Sequence, residues 1–201
     1  MARFTRLLVA GVAVLAASSA FGQDWSLVKD EAGIKIYLSD VKGSEYKAYR
    51  GVTTVKSDVP TLLKLQEDAA GSCAWIHECK MQKMLKQDGD KAWTYAQFNT
   101  PWPVTPRDSV MEITTKQDAK GSATRVMHGV PDYLPQEKGF VRVSQLEGRW
   151  EFIPKAAGEV EVVYEVHTEP GGSVPSWLAN KFVVDAPFNT LKNYRALAEK
   201  K

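Results

Sequence analysis

Three histidines, two cysteines and one arginine–aspartate pair are the groups here whose chemistry could define a function. His77, His128 and His167 lie far apart along the chain, so any acid–base partnership among them must be assembled by the fold. Arg107 stands beside Asp108. A guanidinium next to a carboxylate reads either as a salt bridge tying a strand to a loop or as the polar contact for a ligand. Arg107 with His128 is the pair a reaction on a buried substrate could use. Cys73 and Cys79 are the only cysteines and bracket Trp75, Ile76 and His77. Six positions apart, they suit a disulfide closing a tight loop, two buried free thiols, or, with His77, half of a metal site. No second ligand pair accompanies them, and no metal or cofactor is expected.

The sequence motifs of dinucleotide, phosphate, zinc-protease and dithiol sites are absent. Gly171-Gly172-Ser173-Val174-Pro175 approaches a nucleophile elbow, but proline stands where the final glycine is needed. The sequence therefore gives no support for enzymatic chemistry.

The elements that must position these groups follow from periodicity. Tyr46 to Val55 is aromatic and β-branched and reads as a strand, preceded by another after a turn at Gly33. Asp58 and Pro60 open a helix carrying Leu62, Leu63 and Leu65. From Glu78 to His167, short β-like runs alternate with turn signals, which describes a meandering antiparallel sheet. The expected strands are 79–86, 92–99, 108–115, 123–130, 140–146, 149–153 and 160–167. A final helix from Pro175 to Ala198 contains Pro187, which should bend it. Its residues Trp177, Val183, Val184, Pro187, Phe188, Leu191, Tyr194 and Ala198 share one arc, with Lys181, Asp185, Asn189, Lys192 and Asn193 opposite. Strands in a row with a helix early and a helix last make one α+β domain.

Alternation along 108–115 places Arg107, Ser109, Met111 and Ile113 on one face and Asp108, Val110, Glu112 and Thr114 on the other. The first face is mostly apolar. The loop from Pro131 to Gly139 carries Tyr133 and Leu134, the kind of apolar tip that gates or binds.

Among 201 residues, 44% are hydrophobic and 25% charged, enough apolar mass for a sizeable core. Residues 1–22 combine Arg3 and Arg6, an uncharged run from Leu7 to Ala17 and a small-residue exit, the pattern of a secretory signal peptide. The apolar run is far shorter than the ~20 residues of a membrane span. Removing residues 1–22, with Arg3 and Arg6, leaves 24 basic and 24 acidic residues, so nucleic acid is not an expected partner. The expected location is the periplasm or the exterior, where two cysteines can pair.

Three ordered segments carry a family resemblance. They are Pro101-Trp102-Pro103-Val104-Thr105-Pro106-Arg107-Asp108-Ser109-Val110, then Gly139-Phe140-Val141-Arg142 with Gly148 to Pro154, then Tyr164 through Glu169-Pro170-Gly171-Gly172 to Asn180. Together with Gly33 to Tyr37 and Lys47 to Gly51, the set resembles the START family of lipid-transfer domains, over residues 23–201. The resemblance implies a helix-grip fold, a curved antiparallel sheet wrapped around a long C-terminal helix, with a tunnel for one lipid or sterol between them. It implies lipid contacts at Arg107, Met111, Ile113, His128, Val143, Gln145, Trp177, Val184, Phe188 and Leu191. It also implies gate loops at Tyr133 and Leu134 and at Gly171 and Gly172. The function implied is lipid carriage, transfer or sensing by a monomer in transient contact with membranes, without catalysis. The alternatives are a cyclase- or hydrolase-like enzyme using the same tunnel, and an interaction module that takes a peptide or a partner's helix in the groove.

Overall fold

The structure, a computed structural model, describes residues 24–174 and 176–200. Residues 1–22, which carry the expected signal peptide, lie outside the described residues. Ala32 and Gly33, both in the left-handed region (φ +52° and +72°), turn the chain between β1 (Ser26–Glu31) and β2 (Ile34–Ser39). The residues before the Gly33 turn thus form a strand of their own, beyond those expected from the sequence. After β3 (Ala48–Lys56), Asp58 caps α1 (Val59–Glu67), its carboxylate accepting from the Thr61 N–H at 2.8 Å. Leu62 and Leu63 are buried beneath that helix.

Seven further strands follow: β4 (Cys79–Asp88), β5 (Lys91–Phe98), β6 (Arg107–Gln117), β7 (Ala123–Gly129), β8 (Val141–Arg142), β9 (Gln145–Pro154) and β10 (Glu159–Glu169). The expected strands 140–146 and 149–153 are divided differently. The chain breaks at Val143 and Ser144, giving the two-residue β8, which runs parallel to the start of β6, and one long β9. The curved sheet has the order β1-β2-β3-β10-β9-β7-β6-β5-β4. It consists of two antiparallel meanders joined where β10 pairs with β3, Val160 opposite Val55 and Val166 opposite Tyr49. The connection through α1 carries the chain from β3 to the opposite edge of the sheet.

The last helix, α2 (Ser176–Ala198), continues through Pro187 and lies against β2 and β3. Leu191 presses its Cδ1 into the space above Gly51, where an added Cβ would stand 2.5 Å away. Phe188, Leu191 and Tyr194 are buried with Ile34, Ile36, Trp150 and Phe152 in the main core. Burying a side chain of this size contributes about 1.5–3 kcal/mol, so this half of the helix surface anchors the grip. Cys73 and Cys79 form a disulfide, the first of the three alternatives for these sulfurs.

Candidate functional site

The inward face of the sheet and one side of α2 enclose a cavity of about 350 Å³. Its walls follow the two-residue period of the strands. Arg107, Ser109, Met111 and Ile113 come from β6, Arg125 and Met127 from β7, Leu146 and Trp150 from β9, and Tyr164, Val166 and Thr168 from β10. The disulfide loop adds Trp75, Ile76 and His77, and its position is fixed by the His77 N–H donating to Thr190 Oγ1 of α2 at 3.1 Å. The helix contributes Ala179, Phe182, Val183, Ala186 and Thr190.

Several sequence-expected positions sit at this wall and several do not. Arg107, Met111, Ile113 and Val143 line the cavity. His128 does not: it alternates outward from Met127, is largely exposed, and pairs through Nδ1 with Glu147 across the strand. Arg107 and His128, the pair nominated for chemistry, therefore stand on opposite faces of the sheet. Gln145, exposed at the start of β9, also points away from the inward set of Leu146 and Trp150. Val184, Phe188 and Leu191 turn to the core beside the cavity, and the neighbouring stripe through Val183 and Ala186 faces it. The apolar arc is wider than one interface, and its two halves do different work. The Trp177 side chain lies outside the described ones.

The gate positions are equally particular. Tyr133 lies on the outer side of the sheet, stacked on Trp93 with ring centroids 6.2 Å apart. The carbonyl of Leu134 accepts from Arg142 at 3.0 Å, so this loop is tied to the back of β6. Gly171 has φ +69°, and a Cβ there would stand 2.6 Å from the Arg142 carbonyl. Its glycine is needed for close packing on β8 as well as for backbone freedom.

Arg107 does not pair with Asp108, because adjacent strand residues point to opposite faces. Its guanidinium donates to the carbonyls of Thr105, Pro170 (3.4 Å) and Gly171 (3.0 Å), holding the β10–α2 connection against β6. Asp108 is instead fully buried on the outer face, bonded to Arg142 and to the Tyr95 hydroxyl at 3.0 Å.

A second arginine, unanticipated from the sequence, closes the other end. Arg125 is only 4% exposed and makes one hydrogen bond among the described residues, from Nη1 to Thr115 Oγ1 at 3.1 Å. The Glu67 carboxylate approaches it to 3.9 Å from a hydrated position. Burial lowers the pKa of both Arg107 and Arg125 from the ordinary arginine value. The signal that could have flagged Arg125 is its place in the inward series Ala123, Arg125, Met127, a charge interrupting an apolar period. Among the described residues, the lining holds Arg107, Arg125 and His77 and no carboxylate.

The cavity reaches the surface at Pro101 and Phe182, the exposed members of its lining among the described residues. Between Pro101 and Val104, both at the wall, Trp102 is 93% exposed. Solvent-facing apolar side chains thus gather where the interior opens.

The sequence model of the START domain matches residues 12–200. This chain belongs to the START domain family, and its fold is the helix grip. An uncharacterised protein of Pseudomonas aeruginosa is 55% identical over 197 residues, covering 98% of each chain. Human phosphatidylcholine transfer protein is 27% identical over 178 residues, 86% of this chain and 82% of that one. The crystal structure of a STAR-related lipid transfer protein from Xanthomonas axonopodis shares 39% identity at a TM-score of 0.83, covering 88% of this chain and 99% of that one.

Proposed function

We propose that this protein is an exported, monomeric lipid carrier that takes one lipid from a membrane into the cavity beneath α2 and releases it to another. The observation that carries this reading is a mostly apolar interior of about 350 Å³ opening at Pro101 and Phe182 beside the exposed Trp102. Each methylene moved from water into such a wall contributes about 0.8 kcal/mol, so a long acyl chain outweighs the cost of immobilising the ligand. The lipid-transfer names of its human and Xanthomonas relatives support the same reading. The export pattern of residues 1–22 supports a periplasmic or extracellular site of action, where the Cys73–Cys79 disulfide persists.

Tryptophan favours the interface between water and hydrocarbon, so Trp102 is the side chain suited to hold the opening at a bilayer during exchange. Transfer of a fluorescent lipid between donor and acceptor vesicles tests the reading. The protein should accelerate transfer well above the spontaneous rate, and Trp102→Ala should slow it while leaving the melting temperature unchanged. No acceleration with any lipid class would overturn carriage. Equal rates for wild type and Trp102→Ala would overturn the docking role of Trp102.

A further inference from the structure

The far end of the cavity is built differently from its opening. Arg107 stands near the opening, and its guanidinium is already engaged by three backbone carbonyls. Thr115, the cross-strand partner of Arg125, lies eight residues further along β6. At about 3.3 Å per residue, the two arginine positions are roughly 26 Å apart along the strand. Half of a bilayer's ~30 Å hydrocarbon core, the depth one acyl chain fills, is about 15 Å. An acyl chain and its head group therefore fit between the two ends. Met111, Ile113 and Met127 line the stretch between them.

At that far end Arg125 keeps most of its five N–H donors uncommitted although the residue is buried. Beside it, Gln66 of α1 reaches the same cavity, and its buried amide nitrogen Nε2 has no hydrogen-bond partner among the described residues. A buried guanidinium and a buried amide donor, both under-satisfied, are costly unless an acceptor enters. Glu67 does not fill that role: at 3.9 Å it is beyond hydrogen-bond distance and its side chain is 60% exposed.

Resting on the carriage reading above, we infer that Arg125 and Gln66 form an anion-binding subsite, and that the ligand is an amphiphile lying head-inward, its terminal carboxylate or phosphate on these donors and its tail toward Pro101 and Phe182. Two acceptor oxygens on one centre match the planar fork of an arginine. The neutral end of an ester or a sterol hydroxyl leaves the charge uncompensated.

The test compares three sixteen-carbon probes on the full mature chain: palmitate, methyl palmitate and monohexadecyl phosphate. Each is measured by quenching of tryptophan fluorescence, since Trp75 and Trp150 line the cavity. At least one of the two anions should bind ten-fold or more tighter than the ester, and which anion it is distinguishes carboxylate from phosphate. Arg125→Met should abolish that preference while leaving the ester's affinity within two-fold, and Arg125→Lys, which keeps the charge, should retain part of it. Equal binding of ester and anions by the wild-type protein, or a preference that survives Arg125→Met, would overturn the subsite and leave carriage standing. Binding of none of the three, with phosphatidylcholine and cholesterol also unbound, would overturn carriage itself. The wild-type comparison needs no variant and decides the matter even if Arg125→Met fails to fold.

Discussion

Arg142 meets Asp108 through two parallel hydrogen bonds, Nε to Oδ1 and Nη2 to Oδ2, each 2.9 Å long. The same guanidinium donates to the carbonyls of Pro131, Leu134 and Pro135. One side chain therefore fastens the 131–135 loop to the back of the strand whose front lines the cavity. Arg142→Ala strands a fully buried carboxylate, a loss worth about 3–5 kcal/mol. Urea denaturation should show that loss, whereas lipid binding by the folded fraction should be little changed. Wild-type stability in the variant would mean the pair is incidental to the fold.

The division of labour on α2 separates two neighbouring valines. Val183 lines the cavity and Val184 packs against the core. Val183→Trp should block lipid uptake with little loss of stability. Val184→Trp should cost about 1–3 kcal/mol through overpacking and leave uptake largely intact. Paired binding and thermal-denaturation assays check this, and the reverse pattern would place the wrong stripe over the ligand.

The disulfide closes a loop whose residues Trp75, Ile76 and His77 form part of the wall. For so short a loop, chain entropy assigns the cross-link about 2 kcal/mol. The double variant Cys73→Ser, Cys79→Ser should therefore melt roughly 4–8 °C lower, at ~2–4 °C per kcal/mol for a chain of this size. Calorimetry under oxidising conditions measures it. A shift near zero would show that packing alone holds the loop.

Burial raises the pKa of Tyr49, Tyr164, Tyr194 and Tyr95 above the ordinary tyrosine value. Each then keeps its proton in the native state at pH values where the unfolded chain releases it. Their stabilising effect is fully present below a pH of about 10 and is lost as pH rises through the native values. Stability should accordingly fall steeply above pH ~10, and ultraviolet titration of the native protein should leave these four phenols un-ionised until it unfolds. Ionisation of all seven tyrosines at the ordinary pH with the fold intact would contradict their burial.

Much of the architecture was legible because local signals agreed. The Asp58 cap, the Gly33 turn and the alternation through Arg107, Ser109, Met111 and Ile113 each follow from short-range physics, and each stands in the structure as expected. Other features depend on which distant segments meet. The pairing of β10 with β3 joins residues more than a hundred apart, and no local pattern encodes it. The α2 arc was visible as apolar, but only the sheet beneath decides which half faces Gly51 and which faces the cavity. Asp108 looked like the partner of Arg107 because they are neighbours in sequence; the strand pleat separates them and delivers Asp108 to Arg142. Arg125 and His128 illustrate the same limit, since a phase error of one residue on β7 exchanges interior for surface.

The central claim is that the cavity beneath α2 carries a lipid, and native mass spectrometry of the protein purified from its own host tests it most directly. The dominant species should be one chain plus one lipid-sized adduct, released on collisional activation and absent from Val183→Trp. A single species at the mass of the bare chain, unchanged after incubation with host membranes, would contradict it.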